Sequence, residues 1–170
     1  GTVTGVQTCA LPIYAHGRLR SSGWYYRHTD GKWFLKGGAD SPESMFGFDG
    51  FDNTPNASHH FDPHESDWQS GDPAWGGTAS RGLVGAINYL SSKGVNSIYF
   101  LTMNIGGDAK DTAPYVTVSN WSGNSSNDNL HFDLSKLEQW RVVLDHAIRK
   151  EVALHVVLGE GEKKNKQELD

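Results

Sequence analysis

Two stretches of this chain follow one pattern: an amphipathic helix, a short break, an apolar strand, then an abrupt switch to a polar, glycine-rich loop. In residues 81–108, RGLVGAINYLSSKGVNSIYFLTMNIGGD, the side chains Leu83, Val84, Ala86, Ile87 and Leu90 recur at helical spacing and give one apolar stripe. Gly94 stands where a helix C-cap takes a left-handed residue without a Cβ penalty. Residues 97–103 run apolar and β-branched, the pattern of a strand covered on both faces, and polarity switches at Asn104. In parallel α/β folds such a strand-ending loop is where ligands sit.

The second unit starts near Asp133 or Ser135, either of which can cap a helix; Ser135 and Glu138 have the spacing of a capping box. Leu137, Trp140, Leu144, Ala147 and Ile148 supply a buried stripe, while Lys136, Glu138, Arg141, Asp145 and Arg149 are expected to face water. Residues 152–158 read as another buried strand, with His155 a hydrogen-bonded core residue, ending at Gly159, Glu160, Gly161 and Glu162. Upstream, residues 33–36 read as a first strand, followed by Gly37, Gly38, Ala39 and Asp40. Residues 24–27 and 32–35 flank Asp30-Gly31, a hairpin signal. Strands alternating with helices predict a parallel sheet. The expected fold class is α/β: a partial (β/α)8 barrel with an N-terminal β-hairpin and a long loop between the first strand and the first helix. A complete barrel takes about 250 residues, so the 170 here would hold three of its eight strands.

Residues 3–13, VTGVQTCALPI, resemble the in-frame translation of a sequencing adapter over eleven consecutive positions. Residues 1–13 are therefore set aside from fold reasoning, which leaves residues 14–170 as the N-terminal part of the barrel. Setting them aside removes Cys9, the single cysteine, and with it disulfides, thiolate chemistry and Cys-ligated zinc. The first methionine is Met45, and the chain reads as an internal piece of a longer gene. No run is long enough to span a membrane. A net charge of −5 with no basic stripe argues against nucleic acid as a partner. Six tryptophans, several in polar loops, point instead to sugar rings, which stack on such faces.

The loop over residues 44–80 is too long for a plain connection. Its Phe46, Phe48, Phe51, Phe61, Trp68 and Trp75 disfavour disorder. It reads either as an ordered insertion with Trp68 or Trp75 as a sugar-stacking wall, or as a loop whose aromatics form their own small core. His59, His60, Asp62, His64 and Asp67 match no zinc spacing, and Asp49, Asp52 and Asn53 match no EF-hand, so no metal and no cofactor is assigned. His64 and Asp67 can equally bond hydroxyls. Residues 111–129, with Trp121, read as a polar loop on the same rim.

The stretches KWFLKGGADSPE, FDGFDNTP, HESDWQSGDPAWGG, GLVGAINYLSSKGVNSIYFLTMNIGGDAKDTAPY, LHFDLSKLEQW and ALHVVLGEGE resemble a glycoside hydrolase-like barrel family of bacterial proteins of unknown function, often carrying a C-terminal collagen-binding-type domain. The resemblance implies a secreted or periplasmic carbohydrate-active (β/α)8 barrel. In related barrel glycosidases the acid/base carboxylate follows strand four and the nucleophile strand seven, so the catalytic pair falls outside these residues and the piece alone is expected to be inactive and poorly stable. What it would hold is sugar. Asp40, Glu43, His64, Asp67, Trp68, Trp75, Asn104, Asp108 and Glu160 are the candidate substrate-binding residues, with turn formation and loop capping the competing role for the Asp and Asn side chains. A non-catalytic barrel holding glycan or extracellular matrix is the alternative.

Overall fold

The computed structural model describes residues 16–38, 43–54, 57–103, 111–117 and 127–158. The chain is mixed α/β, with small sheets and no closed barrel among these residues. It divides into two units, residues 1–35 and residues 36–170.

The first unit is an antiparallel meander of β1 (Leu19–Ser22), β2 (Tyr25–His28) and β3 (Trp33–Phe34). Gly23, at φ +63°, takes the first place of the two-residue β1–β2 loop, the position a type II′ turn reserves for glycine. The Asp30-Gly31 reversal forms as expected. Gly31 N–H donates to the His28 carbonyl at 2.9 Å, the Asp30 carboxylate accepts from Lys32 N–H at 2.9 Å, and Gly31 sits at φ +95°. That turn also corrects one expectation. It folds Trp33 and Phe34 back onto Arg27 and Tyr26, so they form the edge of the meander and not the first strand of the parallel sheet.

The second unit is built on β4 (Ser97–Leu101) and β7 (Ala153–Val157), paired in parallel with Ser97 opposite Ala153 and Leu101 opposite Val157. On β4's other side, Asn96 N–H donates to the Gly37 carbonyl at 2.9 Å and Leu101 N–H to the Glu43 carbonyl at 2.7 Å. The chain on either side of residues 39–42 thus follows β4 in the same direction, a few residues after the predicted first strand. Helix α1 (Arg81–Ser92) precedes β4, and α2 (Leu134–Arg149) joins β4 to β7. Between them, in what reads from sequence as loop, β5 (Tyr115–Thr117) and β6 (Asn127–Phe132) form an antiparallel ribbon.

Both helices end in the same motif. Gly94 N–H reaches the Ser91 carbonyl and Val95 N–H the Leu90 carbonyl; Glu151 and Val152 repeat this on Ile148 and Ala147. These are Schellman caps. Gly94 fills the left-handed position of the first at φ +77°, but Glu151 holds it in the second at φ +60°.

Two corrections concern α2. Asp133 is its N-cap, accepting from Lys136 N–H at 3.1 Å; Ser135 bonds the Asp52 carboxylate instead, and Glu138 pairs with Arg141, so no capping box forms. Lys136, expected in water, is fully buried, with Nζ donating to the Ala113 carbonyl at 3.3 Å. Burial lowers its pKa, against the charges of Asp133 and Asp52.

Leu83, Ile87, Ile98, Phe100, Trp140, Val143, Ala147 and Val152 form the core, and Met45, Phe46, Phe48 and Phe51 belong to the same cluster. Phe46 lies 4.7 Å from the Phe100 ring and 4.5 Å from that of Trp140. The long loop therefore contributes to the main core. The β7 side chains are less covered than the predicted buried strand: His155 is exposed, edge-on to Tyr99 at 5.0 Å, and is no core residue. Below the sheet, His146 is 2 % exposed, and its Nε2 shares a 2.9 Å hydrogen bond with Asn88 Oδ1, tying α2 to α1. Asn88 Nδ2 donates to Asp72 at 2.6 Å, and Lys150 stands 3.7 Å from the same carboxylate.

Candidate functional site

The C-terminal end of β4 gathers three segments. Leu101 fixes Glu43 there by its backbone bond, which places Ser44 next in line. Ser44 is buried, and its Oγ shares a 2.8 Å hydrogen bond with His59 Nε2. His59 is itself held by a parallel bridge to Phe48: its N–H donates to the Gly47 carbonyl at 3.0 Å, and its carbonyl accepts from Asp49 N–H at 3.1 Å. Its ring stacks on Phe61 at 5.3 Å. Burial lowers its pKa, partly offset by the charge of Asp111, so the imidazole is neutral near pH 7.

Asp111 returns to this place from the loop after β4. It is 9 % exposed, and its Oδ2 accepts from Ser58 N–H. Among the described residues its Oδ1 has no hydrogen-bond partner; it lies against Gly47, where an added Cβ would stand 2.7 Å away. Thr112 follows in sequence; its hydroxyl is fully buried and likewise without a partner among the described residues. Buried polar atoms are almost always paired, and an orphan asks for an explanation such as a water, an ion or a ligand. Here Asp111 lies near enough to the neutral His59 imidazole for its charge to act on it, and Thr112, the next residue in sequence, holds a second orphan. The arrangement can accept a hydrogen bond at Asp111 and donate or accept one at Thr112.

Among the predicted residues, Glu43 reaches this place through its backbone. His64, Asp67, Trp68 and Trp75 share no hydrogen bond or ring contact with Ser44, His59 or Asp111. His64 and Asp67 face each other at 3.0 Å in the 3-10 helix Asp62–Asp67, with the His64 ring 4.9 Å from Tyr89. That turn packs closely on α1: an added Cβ at Gly85 would collide with the His64 carbonyl and lie 3.1 Å from Trp68 N, and one at Gly82 would stand 2.6 Å from the His60 carbonyl. Trp68 donates to the Pro73 carbonyl at 3.0 Å, and the Arg81 guanidinium covers its ring at 4.5 Å. Trp75 lies parallel to Phe51 at 5.6 Å and donates to the Gly50 carbonyl at 2.8 Å. Both indoles therefore use one ring face or the N–H within the protein. Asp40, Asn104, Asp108 and Glu160, with Trp121 and Glu162, lie outside the described residues.

The histidines do not converge on one point. His60 pairs with Asp49 at 2.7 Å, His64 with Asp67, and His59 with Ser44; among the described residues no three metal-ligating side chains come together. Asp52 is engaged by Ser135, and Asn53 donates to Asp133 at 2.7 Å. Sequence reasoning passed over Ser44 and Thr112 and grouped Asp111 with the other strand-end carboxylates, as residues that hold sugar hydroxyls or orient a catalytic group, without singling it out. The available signal was that position, since burial on a loop has no periodicity to announce it. No protein-family model matches this chain, and no curated protein or solved structure is recognisably similar to it.

Proposed function

We propose that the chain is part of a carbohydrate-active protein of the (β/α)8-barrel type, acting on O-glycosidic bonds of an oligo- or polysaccharide outside the cytoplasm. The observation that supports this reading is the orphaned Asp111 Oδ1 and Thr112 hydroxyl beyond the C-terminal end of β4, the end at which parallel barrels do their chemistry. In this reading Asp111 and Thr112 hold sugar hydroxyls, His59 and Ser44 fix their surroundings, and the sequence candidates Asp40, Glu43, Asn104, Asp108 and Glu160 bind the same substrate. The two carboxyl groups that glycoside hydrolysis needs come from strands further along the barrel.

The test uses protein expressed from the reading frame recovered across both ends of this sequence. Release of reducing ends from a panel of oligosaccharides is measured for the wild type and for Asp111→Asn. Hydrolysis that falls about tenfold or more in the variant, from the loss of one charge-assisted hydrogen bond, supports the reading. Glycan binding without hydrolysis selects the non-catalytic barrel, and neither activity overturns both.

A further inference from the structure

The β1–β2–β3 meander carries a surface that the barrel chemistry does not use. Its register puts Arg20 opposite Arg27, and Arg27 opposite Trp33. Because side chains alternate along a strand, Tyr25 shares that face, and its ring meets Trp33 edge-on at 6.0 Å. These aromatics lie in water: Trp33 is 52 % exposed, Tyr25 62 %, and Trp24, in the adjoining turn, 98 %.

Two like charges directly opposite each other weaken a strand pair, and among the described residues no carboxylate pairs with either arginine to relieve it. Among the described residues of this unit the one acidic side chain is Asp30, which is bonded to His16 at 2.6 Å and to Lys32 N–H. Arg27 instead lies over the Trp33 ring at 4.1 Å. A cleft of about 450 Å³ opens beside the pair, lined by Arg20, Ser22, Arg27, Thr29 and Gly31 among others.

We propose that this face binds an acidic polysaccharide, one carrying carboxylate or sulfate groups. The pyranose ring offers a flat apolar side to Trp33, Tyr25 or Trp24, as amphipathic aromatics require. The anionic substituent at the ring's edge presents two or more oxygens that a guanidinium fork can bond in a bidentate way. Charge complementarity selects the ligand: a cationic pair on a chain of net charge −5. The unit's other described cations are Arg18, close to Arg20 in sequence, and Lys32, whose Nζ is bonded to His16, and this is too short a track for a nucleic-acid backbone, which needs a basic stripe. The choice of sugar over other anions rests on the carbohydrate reading above, whereas the stacking and charge arguments do not.

The experiment titrates the chain with a galacturonate hexasaccharide, a sulfated hexasaccharide, a neutral glucose hexasaccharide and an oligothymidylate, following heat and tryptophan fluorescence. One or both acidic sugars are expected to bind, more weakly as salt rises, and at least about tenfold tighter than the neutral one, since each charge-assisted contact is lost with it. The double substitution Arg20→Ser with Arg27→Ser removes two exposed side chains, so circular dichroism should be unchanged while acidic-sugar binding falls by the same factor. Trp33→Ala should weaken it independently. Equal binding of neutral and acidic sugars, undiminished binding by the double variant, or tighter binding of oligothymidylate would overturn the proposal. Acidic-sugar binding here with no hydrolysis by the protein from the recovered reading frame leaves this surface standing and removes the enzymatic reading; hydrolysis by that protein without arginine-dependent binding here does the reverse.

Discussion

Lowering the pH should destabilise this protein through one imidazole. His146 is 2 % exposed on the buried side of α2, and burial, with the nearby charges of Lys150 and Arg149, holds its pKa at about 4, against the opposing pull of Asp72. In the unfolded chain the same group titrates near 6.5. The folded protein keeps it neutral, so between these values the unfolded state binds the extra proton. Stability from this group is therefore intact above about pH 6.5 and is lost as the pH falls toward 4. A gap of about 2.5 units is worth about 3.4 kcal/mol in full, of which about 2.5 kcal/mol has gone by about pH 4.5. The comparison variant is His146→Gln, which does not titrate and retains an N–H for Asn88 Oδ1. Urea unfolding followed by tryptophan fluorescence at about pH 7.5 and 4.5 gives each protein's own loss. The wild type should lose about 2.5 kcal/mol more than the variant, a midpoint difference near 1 M at an ordinary urea slope. Titrations of His59 and of the carboxylates other than Asp72 are common to both proteins and cancel. Asp72, where burial opposes ionisation but hydrogen bonds hold the carboxyl below the usual range, is largely ionised at both pH values. Parallel losses would refute the claim that the fold holds His146 neutral.

Two further outcomes follow from the backbone. Gly85→Ala improves intrinsic helix propensity by about 1 kcal/mol, yet its Cβ must displace the His64 carbonyl, so a net loss of about 1–3 kcal/mol is expected in chemical denaturation; a raised midpoint would contradict the close seating of α1. Glu151→Gly should stabilise by about 0.5–1 kcal/mol, because a side chain at φ +60° pays a steric cost that glycine avoids, and an unchanged melting temperature would show that the cost is absent.

The parts legible in the sequence are those carried by local rules. The apolar stripe of α1, Gly94 at its cap, the apolar run of β4 and the Asp30-Gly31 turn each depend on a few neighbouring residues, and each formed. Failures arose where a long-range partner decides. Lys136 lies on the helix face of Trp140, Val143 and Ala147, so helical geometry carries it inward, where the Ala113 carbonyl meets it; charge alone pointed it to water. Ser135 has capping-box spacing, but Asp52, far off in sequence, takes its hydroxyl. Trp33 and Phe34 suit a parallel strand by composition, yet the turn before them dictates an antiparallel partner. Asp111 is one of several loop carboxylates in the sequence, and only the backbone of Ser58 and the absent side chain of Gly47 distinguish it.

Phe46, Phe48 and Phe51 share one cluster with Phe100 of the sheet and Trp140 of α2, and this limits how the rim over β4 can move. A flap that opens for substrate must leave its place without exposing the interior, and this one cannot: lifting residues 44–51 would strip three phenylalanines from the core. Amides there, such as Gly47 N–H on the Ser44 carbonyl, should exchange with solvent only in the rare openings that unfold the whole unit. Access to Asp111 would then depend on side-chain rearrangement on the nanosecond scale and not on the microsecond-to-millisecond swing of a lid.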